Sequence, residues 1–347
     1  MKKILSVLLC AVLLASLFGC GAVPQRFTYS NAEAFDTVTT FIAYTDSQES
    51  FDKGVKLLEG ELLRYSKLFD IYKEFDGVTN LCTVNKTAAE KPVKVDKEII
   101  ELLKEGKEIY KESNGRLNIC FGSVLMMWHA AREASTKSPQ NAYVPKMRSL
   151  EKAAEHTNPD DLIIDEKNGT VFFKDDRLKL DVGATAKGFC TKKIAEYLKN
   201  NGVFSDFMLN IGGNVIACGY KKSDGKTKWN IQIQNPDTKS SAPLEALTLT
   251  DLSVVTSGDY QRYFNYKGRN FCHIIDTDTL MPAERFSGVT VICADSALAD
   301  RLSTELFLMK LDEGRALVES LDGVEALWVD KSFNITYSSG FESYRAK

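Results

Sequence analysis

The chain has 347 residues, 44 of them basic and 47 acidic, a net charge of −3 and 44% apolar residues. That composition suits a globular, enzyme-sized fold of one large domain or two lobes, and the lack of a basic cluster excludes nucleic acid as a partner. An anionic ligand must therefore be held by a local arrangement, not by overall charge.

The N-terminus runs Lys2-Lys3, an apolar stretch over 4–18, then Gly19-Cys20. This is the order of a bacterial export signal ending at a lipidation cysteine. The apolar stretch is too short to span a bilayer comfortably; ordinary cleavage without lipid and a short anchor are the competing readings. The expectation is a signal peptide over 1–19, lipid on Cys20, a tether over 20–30 and one domain over 31–347, held on the extracytoplasmic face of the cell membrane. Beyond Cys10 and Cys20, the cysteines at 82, 120, 190, 218, 272 and 293 are scattered and form no C-x-x-C pair, which argues against zinc and thioredoxin-like chemistry. An exported protein could oxidise some of them, but most sit in apolar runs as small buried thiols do. His129, His156 and His273 are the only histidines and argue against a multi-histidine metal cluster.

In chain order, 35–44 alternates and is rich in Thr and Val, as a strand would be. Over 49–69, Phe51, Val55, Leu58, Leu62, Tyr65 and Leu68 recur at helical spacing. A second helix is expected over 97–113, with Asp96 as N-cap and Asn114-Gly115 as stop signal. The segment 162–180 reads as strands joined at Asn168-Gly169, a hairpin dipeptide. A helix follows over 185–200, ending at Asn201-Gly202, and later strands are expected at 207–211, 229–234, 253–256, 272–275 and 289–293. No internal repeat is present. Strands and helices mixed in this way predict an α+β domain, not regular βαβ repeats.

Several stretches carry chemistry. Asp181-Val182-Gly183-Ala184-Thr185-Ala186-Lys187-Gly188-Phe189 ends a strand-like run, turns on glycine and opens a helix with a lysine in its first turn. Free N–H groups and the helix dipole there suit a bound phosphate; a plain turn with a solvated lysine fits the same residues. The Walker and Rossmann glycine patterns are absent. In the helix starting near Asp295 or Ser296, Leu298, Leu302, Leu306 and Met309 share one face. Asp300 and Thr304 share the other. Their hard oxygen atoms suit Mg²⁺ or Ca²⁺ better than zinc; the alternative is a solvated polar face, though Phe307 on that side implies that something covers it. Leu209-Asn210-Ile211-Gly212-Gly213-Asn214 permits close backbone approach or is an ordinary turn. Thr256-Ser257-Gly258-Asp259-Tyr260 could hold a ribose or phosphate, or cap an element. His273, with an ordinary pKa near 6.5, is a usable proton-transfer group or a structural histidine.

In order, Phe35-Asp36-Thr37, Leu68-Phe69-Asp70-Ile71-Tyr72, Asn114-Gly115-Arg116-Leu117-Asn118, the Asp181 turn, Asn210-Ile211-Gly212-Gly213, Thr256-Ser257-Gly258-Asp259-Tyr260, His273-Ile274-Ile275-Asp276 and Ala299-Asp300 with Thr304 resemble the ApbE family of FAD:protein FMN transferases. The resemblance spans nearly all of the chain after the leader. It implies a T-fold-related α+β architecture of mixed sheets and helices, forming two lobes around an FAD cleft. It also implies an isoalloxazine contacted by Phe35 and Tyr72, and an FAD site lined by Arg116, Leu117, Asn118, Asp181, Lys187, Ser257 and His273. The Ala184 carbonyl, Asp300 and Thr304 match the Mg²⁺ cradle, with Ser303 beside it, so two lines of reasoning meet on Asp300 and Thr304. Phe35 stands where many members have methionine, Asn118 where many have aspartate, and Met281-Pro282 where a Gly-x-Pro turn is frequent.

The implied reaction is Mg²⁺-dependent transfer of FMN from FAD to a threonine hydroxyl, releasing AMP, with His273 assisting proton transfer. Implied acceptors carry an FMN-binding domain with a target threonine, as in subunits of redox-driven pumps or extracellular electron transfer. Hydrolysis of FAD to FMN and AMP is the nearest rival. A non-catalytic FAD-binding lipoprotein and a transporter's solute receptor are others, and Asp300 with Thr304 argues against both.

Overall fold

The computed structural model describes residues 24–221 and 227–346; the leader and Cys20 lie outside them. Strands β1 (Gln25–Asn31) and β2 (Thr39–Thr45) pair antiparallel along their whole length. The expected tether over 20–30 is thus corrected: residues from Gln25 onward belong to the sheet, because pairing satisfies their backbone groups while Phe27 and Tyr29 pack against the core. The strand expected over 35–44 begins later, since Phe35 and Asp36 adopt φ of 57° and 49° in the turn that returns the chain from β1.

Helix α1 (Gln48–Leu68) starts where the Ser47 side chain accepts the Ser50 N–H, and it buries the spaced apolar residues of the sequence reading. After α2 (Leu81–Thr87) and β3 (Val93–Lys94), α3 (Lys97–Glu112) stops at Asn114 and Gly115, whose φ of 51° and 82° end the helical path. Two unexpected helices follow, α4 (Gly122–Lys137) and α5 (Met147–Ala154). The hairpin of β4 (Leu162–Asp165) and β5 (Thr170–Phe173) turns with Gly169 at φ 61°. Helix α6 (Ala186–Asn200) then leads to β6 (Phe207–Ile211), β7 (Asn214–Cys218), β8 (Trp229–Ile233), β9 (Glu245–Leu249), β10 (Leu252–Gly258), β11 (Tyr263–Tyr266) and β12 (Arg269–Cys272). The strand expected at 272–275 is displaced toward the N-terminus, because the β11–β12 pairing closes at Tyr263 and Cys272. The chain ends with β13 (Phe286–Cys293), α7 (Ser296–Leu308), α8 (Leu311–Glu319), β14 (Glu325–Asp330) and β15 (Ile335–Tyr337).

Eight strands form one sheet in the order β1-β2-β6-β7-β10-β13-β14-β15, and every named pair in it is antiparallel. Strand β13 is buried at every position, as expected of a strand covered on both faces. Phe41, Phe207 and Leu209 pack with α1 and α6, while Val255, Val289, Val291 and Trp328 pack with α7. On the opposite face, Val215, Val254, Ile292 and Leu327 meet the β8–β9 hairpin and Phe341. This is the expected α+β architecture. A further cluster joins Trp128 of α4 to Phe264 and Phe271 of the β11–β12 hairpin, and the cleft opens among these clusters. Helix α7 departs from the two-faced reading: Ala297, Ala299, Asp300, Ser303 and Phe307 are buried as well as Leu302 and Leu306.

Candidate active site

One cleft of about 1040 Å³ is lined by Phe35, Tyr72, Arg116, Leu117, Asn118, Asp181, Ala184, Lys187, Ser257, His273, Asp300 and Thr304. Every cleft residue expected from sequence is brought to one place, from segments far apart in the chain.

Asp300 sits in the first turns of α7 and is only 3% exposed. It reaches α6 because Gly188 has no side chain; a Cβ there would fall well under 3.0 Å from Asp300 Cβ and the Ser296 carbonyl oxygen. That approach lets the Gly188 N–H donate to Asp300 Oδ2 at 2.7 Å. Asp300 Oδ1 is held more loosely, 3.3 Å from Asn214 Nδ2 and 3.7 Å from Lys187 Nζ. Thr304, one turn on, lies 3.1 Å from the Ser257 hydroxyl at the end of β10, and Ser257 in turn lies 2.8 Å from Ser303 Oγ. The end of the sheet and α7 therefore present a carboxylate beside a run of hydroxyls. Among the described residues no group of three or more His, Cys, Asp or Glu could hold a metal, so a cation here would rely on Asp300 with hydroxyl and carbonyl oxygens.

His273 follows β12, directly across from Arg262. Its backbone N–H donates to the Arg262 carbonyl at 3.0 Å, and Nδ1 lies 3.1 Å from the same oxygen. A carbonyl only accepts, so the proton is on Nδ1 and the lone pair of Nε2 is left free. The ring keeps an opening to the cleft but is otherwise enclosed. Burial, together with the charges of Arg262, Lys187 and Arg132, pushes its pKa down to about 3. The expectation of an ordinary value near 6.5 is corrected, because the ring is buried and lies near the charges of Arg262, Lys187 and Arg132. Asp181 accepts the Gly183 N–H at 2.8 Å, and burial raises its pKa.

The cleft is also lined by aromatic residues. Tyr72 is 45% exposed and stacks on His129 with ring centroids 4.3 Å apart and planes 22° from parallel. Phe35 packs against the core beneath, its N–H donating to Ser66 Oγ at 2.9 Å. Arg116 donates to the Ser113 carbonyl at 3.2 Å, and Leu117 is buried. Asn118 reaches the cleft wall with its polar atoms engaged elsewhere: Nδ2 donates to the Thr157 carbonyl and Oδ1 accepts the Cys120 N–H, both at 2.8 Å. Sequence reasoning missed His129, Arg132 and Arg262, all on the cleft wall. The usable signal was His129 and Arg132 three residues apart, which places them on one face of a helix.

The sequence model of the ApbE family matches residues 35–328. The chain belongs to the ApbE family. An FAD:protein FMN transferase of Klebsiella pneumoniae (strain 342) is 27% identical over 293 residues, covering 82% of this chain and 88% of that one. One from Treponema pallidum (strain Nichols) is 30% identical over 274 residues, 75% of this chain and 73% of the other. The crystal structure of the ApbE protein from Thermotoga maritima matches with a TM-score of 0.79 at 26% identity, covering 93% of this chain and all of that one. The chain shares the fold of that structure.

Proposed function

We propose that the chain is an FAD:protein FMN transferase that moves the FMN moiety of FAD to a threonine hydroxyl of an acceptor protein and releases AMP. The observation that carries this is one cleft lined both by Asp300 with neighbouring hydroxyls and by a stacking aromatic, which matches a flavin joined to a diphosphate. The names of the Klebsiella and Treponema relatives support it.

The donor set fits Mg²⁺. Asp300 Oδ1 is buried with only loose partners, Thr304 and Ser257 bring hydroxyl oxygens beside it, and Ala184, whose carbonyl is the proposed further ligand, lines the same cleft. Few protein ligands suffice, since Mg²⁺ completes its shell with water and substrate phosphate. Bound there, Mg²⁺ supplies a Lewis acid that offsets charge growing on the diphosphate. Lys187, in the first turn of α6, adds a cation for the same phosphates. His273 offers Nε2 to the acceptor hydroxyl: the threonine oxygen bonds to the FMN-side phosphorus, the bond to the AMP phosphate breaks, and the hydroxyl proton passes to Nε2. An anionic diphosphate beside Lys187, Arg132 and Arg262 offsets the charges that hold the His273 pKa down, and so strengthens this base.

The order Lys2-Lys3, apolar run, Gly19-Cys20 supports lipid anchoring at Cys20 on the extracytoplasmic face of the membrane. Suitable acceptors there are membrane redox subunits with an FMN-binding domain. The test incubates the chain with FAD, Mg²⁺ and such a domain, and follows acceptor mass and AMP. Acceptor heavier by one FMN, with matching AMP, is expected. AMP without modified acceptor points to FAD hydrolysis, and neither product sinks the catalytic reading.

A further inference from the structure

Tyr72 lies in the loop after α1, where an exposed ring would ordinarily sample several rotamers. Its backbone is fixed: Asp70 Oδ1 accepts the N–H groups of Tyr72 and Lys73 at 2.7 and 2.8 Å. Its ring is held separately, by the stack on His129. His129 projects from α4, which is anchored next door by Trp128 Nε1 donating to the Leu280 carbonyl at 3.0 Å. The imidazole is held in turn by Arg132, whose NH2 lies 2.9 Å from Nδ1. A guanidinium only donates, so Nδ1 accepts, the proton is on Nε2 and the ring is neutral. A neutral ring stacked nearly parallel on a phenol is a favourable aromatic pair. Among the described residues Arg132 has no acidic partner within ion-pair distance, so the tie to His129 is not a by-product of a salt bridge.

We infer that His129 and Arg132 are positioning residues for the flavin end of the substrate, with Arg132 fixing the imidazole and the imidazole presenting Tyr72 as a flat platform whose far face stacks the isoalloxazine. This rests on the FAD reading above. Holding the platform in its binding conformation removes an ordering cost that the ligand would otherwise meet. The effect is expected mainly on the ring system, because neither residue is a hydrogen-bond or ion-pair partner of Asp300 or Thr304.

The test titrates the full chain and the variants His129→Ala, His129→Phe and Arg132→Met with FAD and, separately, with ADP, following flavin fluorescence and absorption for FAD and heat for ADP. Loss of an aromatic pair should weaken FAD about 3- to 10-fold in His129→Ala and reduce the stacking-induced change in the flavin spectrum. His129→Phe, which restores a neutral ring, should recover most of both. Arg132→Met should fall between for FAD, and ADP affinity should be unchanged in both His129 variants. FAD binding to His129→Ala equal to wild type overturns the inference, as does parallel loss of ADP, which would mean a general disturbance of the fold. If the wild-type chain binds ADP but not FAD, the flavin reading itself fails and this inference with it.

Discussion

Replacing Gly188 with alanine sets two forces against each other at the junction of α6 and α7. Helix propensity alone favours alanine by about 1 kcal/mol. Packing opposes it, because the new Cβ would fall well under 3.0 Å from Asp300 Cβ and the Ser296 carbonyl oxygen and 3.1 Å from Ala297 Cα. These neighbours are backbone or the stem of a short side chain, so relief requires the helices to part, at about 1–3 kcal/mol. Parting them also weakens the charge-assisted bond from Gly188 N–H to Asp300 Oδ2, now 2.7 Å long, which costs up to about 1.5–3 kcal/mol. Less the propensity gain, the net loss is about 2–5 kcal/mol. At roughly 2–3 °C per kcal/mol for a large domain, scanning calorimetry should show a midpoint lower by roughly 4–15 °C. The Mg²⁺ concentration for half-maximal FMN transfer should rise as Asp300 shifts. A midpoint at or above wild type refutes the packing argument, and a lowered midpoint with an unchanged Mg²⁺ requirement refutes the tie between this junction and the metal.

Asp300→Ala should abolish metal-dependent turnover, measured as AMP release across a Mg²⁺ titration; activity unchanged at limiting Mg²⁺ would contradict the assigned role. Asn118→Asp restores the residue common in the family but removes the donor to the Thr157 carbonyl, so it should lower stability by about 1–3 kcal/mol, and denaturant unfolding at equal or greater stability would show that the amide is dispensable. His273 takes a proton near its ordinary value when unfolded but only near pH 3 when folded. The unfolded chain therefore binds more protons between those values, and the His273 contribution to stability, complete above about pH 6.5, is lost as pH falls toward 3. His273→Gln should gain on wild type between pH 7.5 and pH 4.5 in chemical unfolding; a constant difference would mean that the ring is not held neutral. Asp181, with its pKa raised, acts in the opposite sense: its penalty is present above the folded pKa and relieved as pH falls through it, so the comparison is best repeated in an Asp181→Asn background.

What could be read in advance depended on whether the cause was local. Helix α1 was legible from apolar spacing and α3 from its Asn114-Gly115 stop, although Asp96 at the N-cap makes no side-chain cap bond, and the β4–β5 hairpin was legible from Asn168-Gly169. Helix α4 was not: Phe121 gives it no side-chain cap, and it buries only Gly122, Val124, Trp128 and Ala131, a sparse stripe that the β11–β12 hairpin and α5 complete. Asp300 and Thr304 could be paired from their four-residue separation, but Ser257 joins them across 47 positions, a contact made only by the sheet. The shift at His273 was hidden for the same reason, because its burial and its nearness to Arg262, Lys187 and Arg132 arise only after separate segments have packed. His129 and Arg132 lay on the helix that was not foreseen, and the support for Tyr72 went unread with it.

The walls of the cleft are drawn from residue 33 through residue 308, so no early fragment of the chain contains the complete grip for the nucleotide. Ligand at a hundred times its dissociation constant adds about 2.7 kcal/mol to the folded state, and here that increment goes to the whole sheet, not to one subdomain. A chain whose last third is still missing lacks Ser257, His273, Asp300 and Thr304, so the full grip on the nucleotide is assembled only once the whole chain has folded.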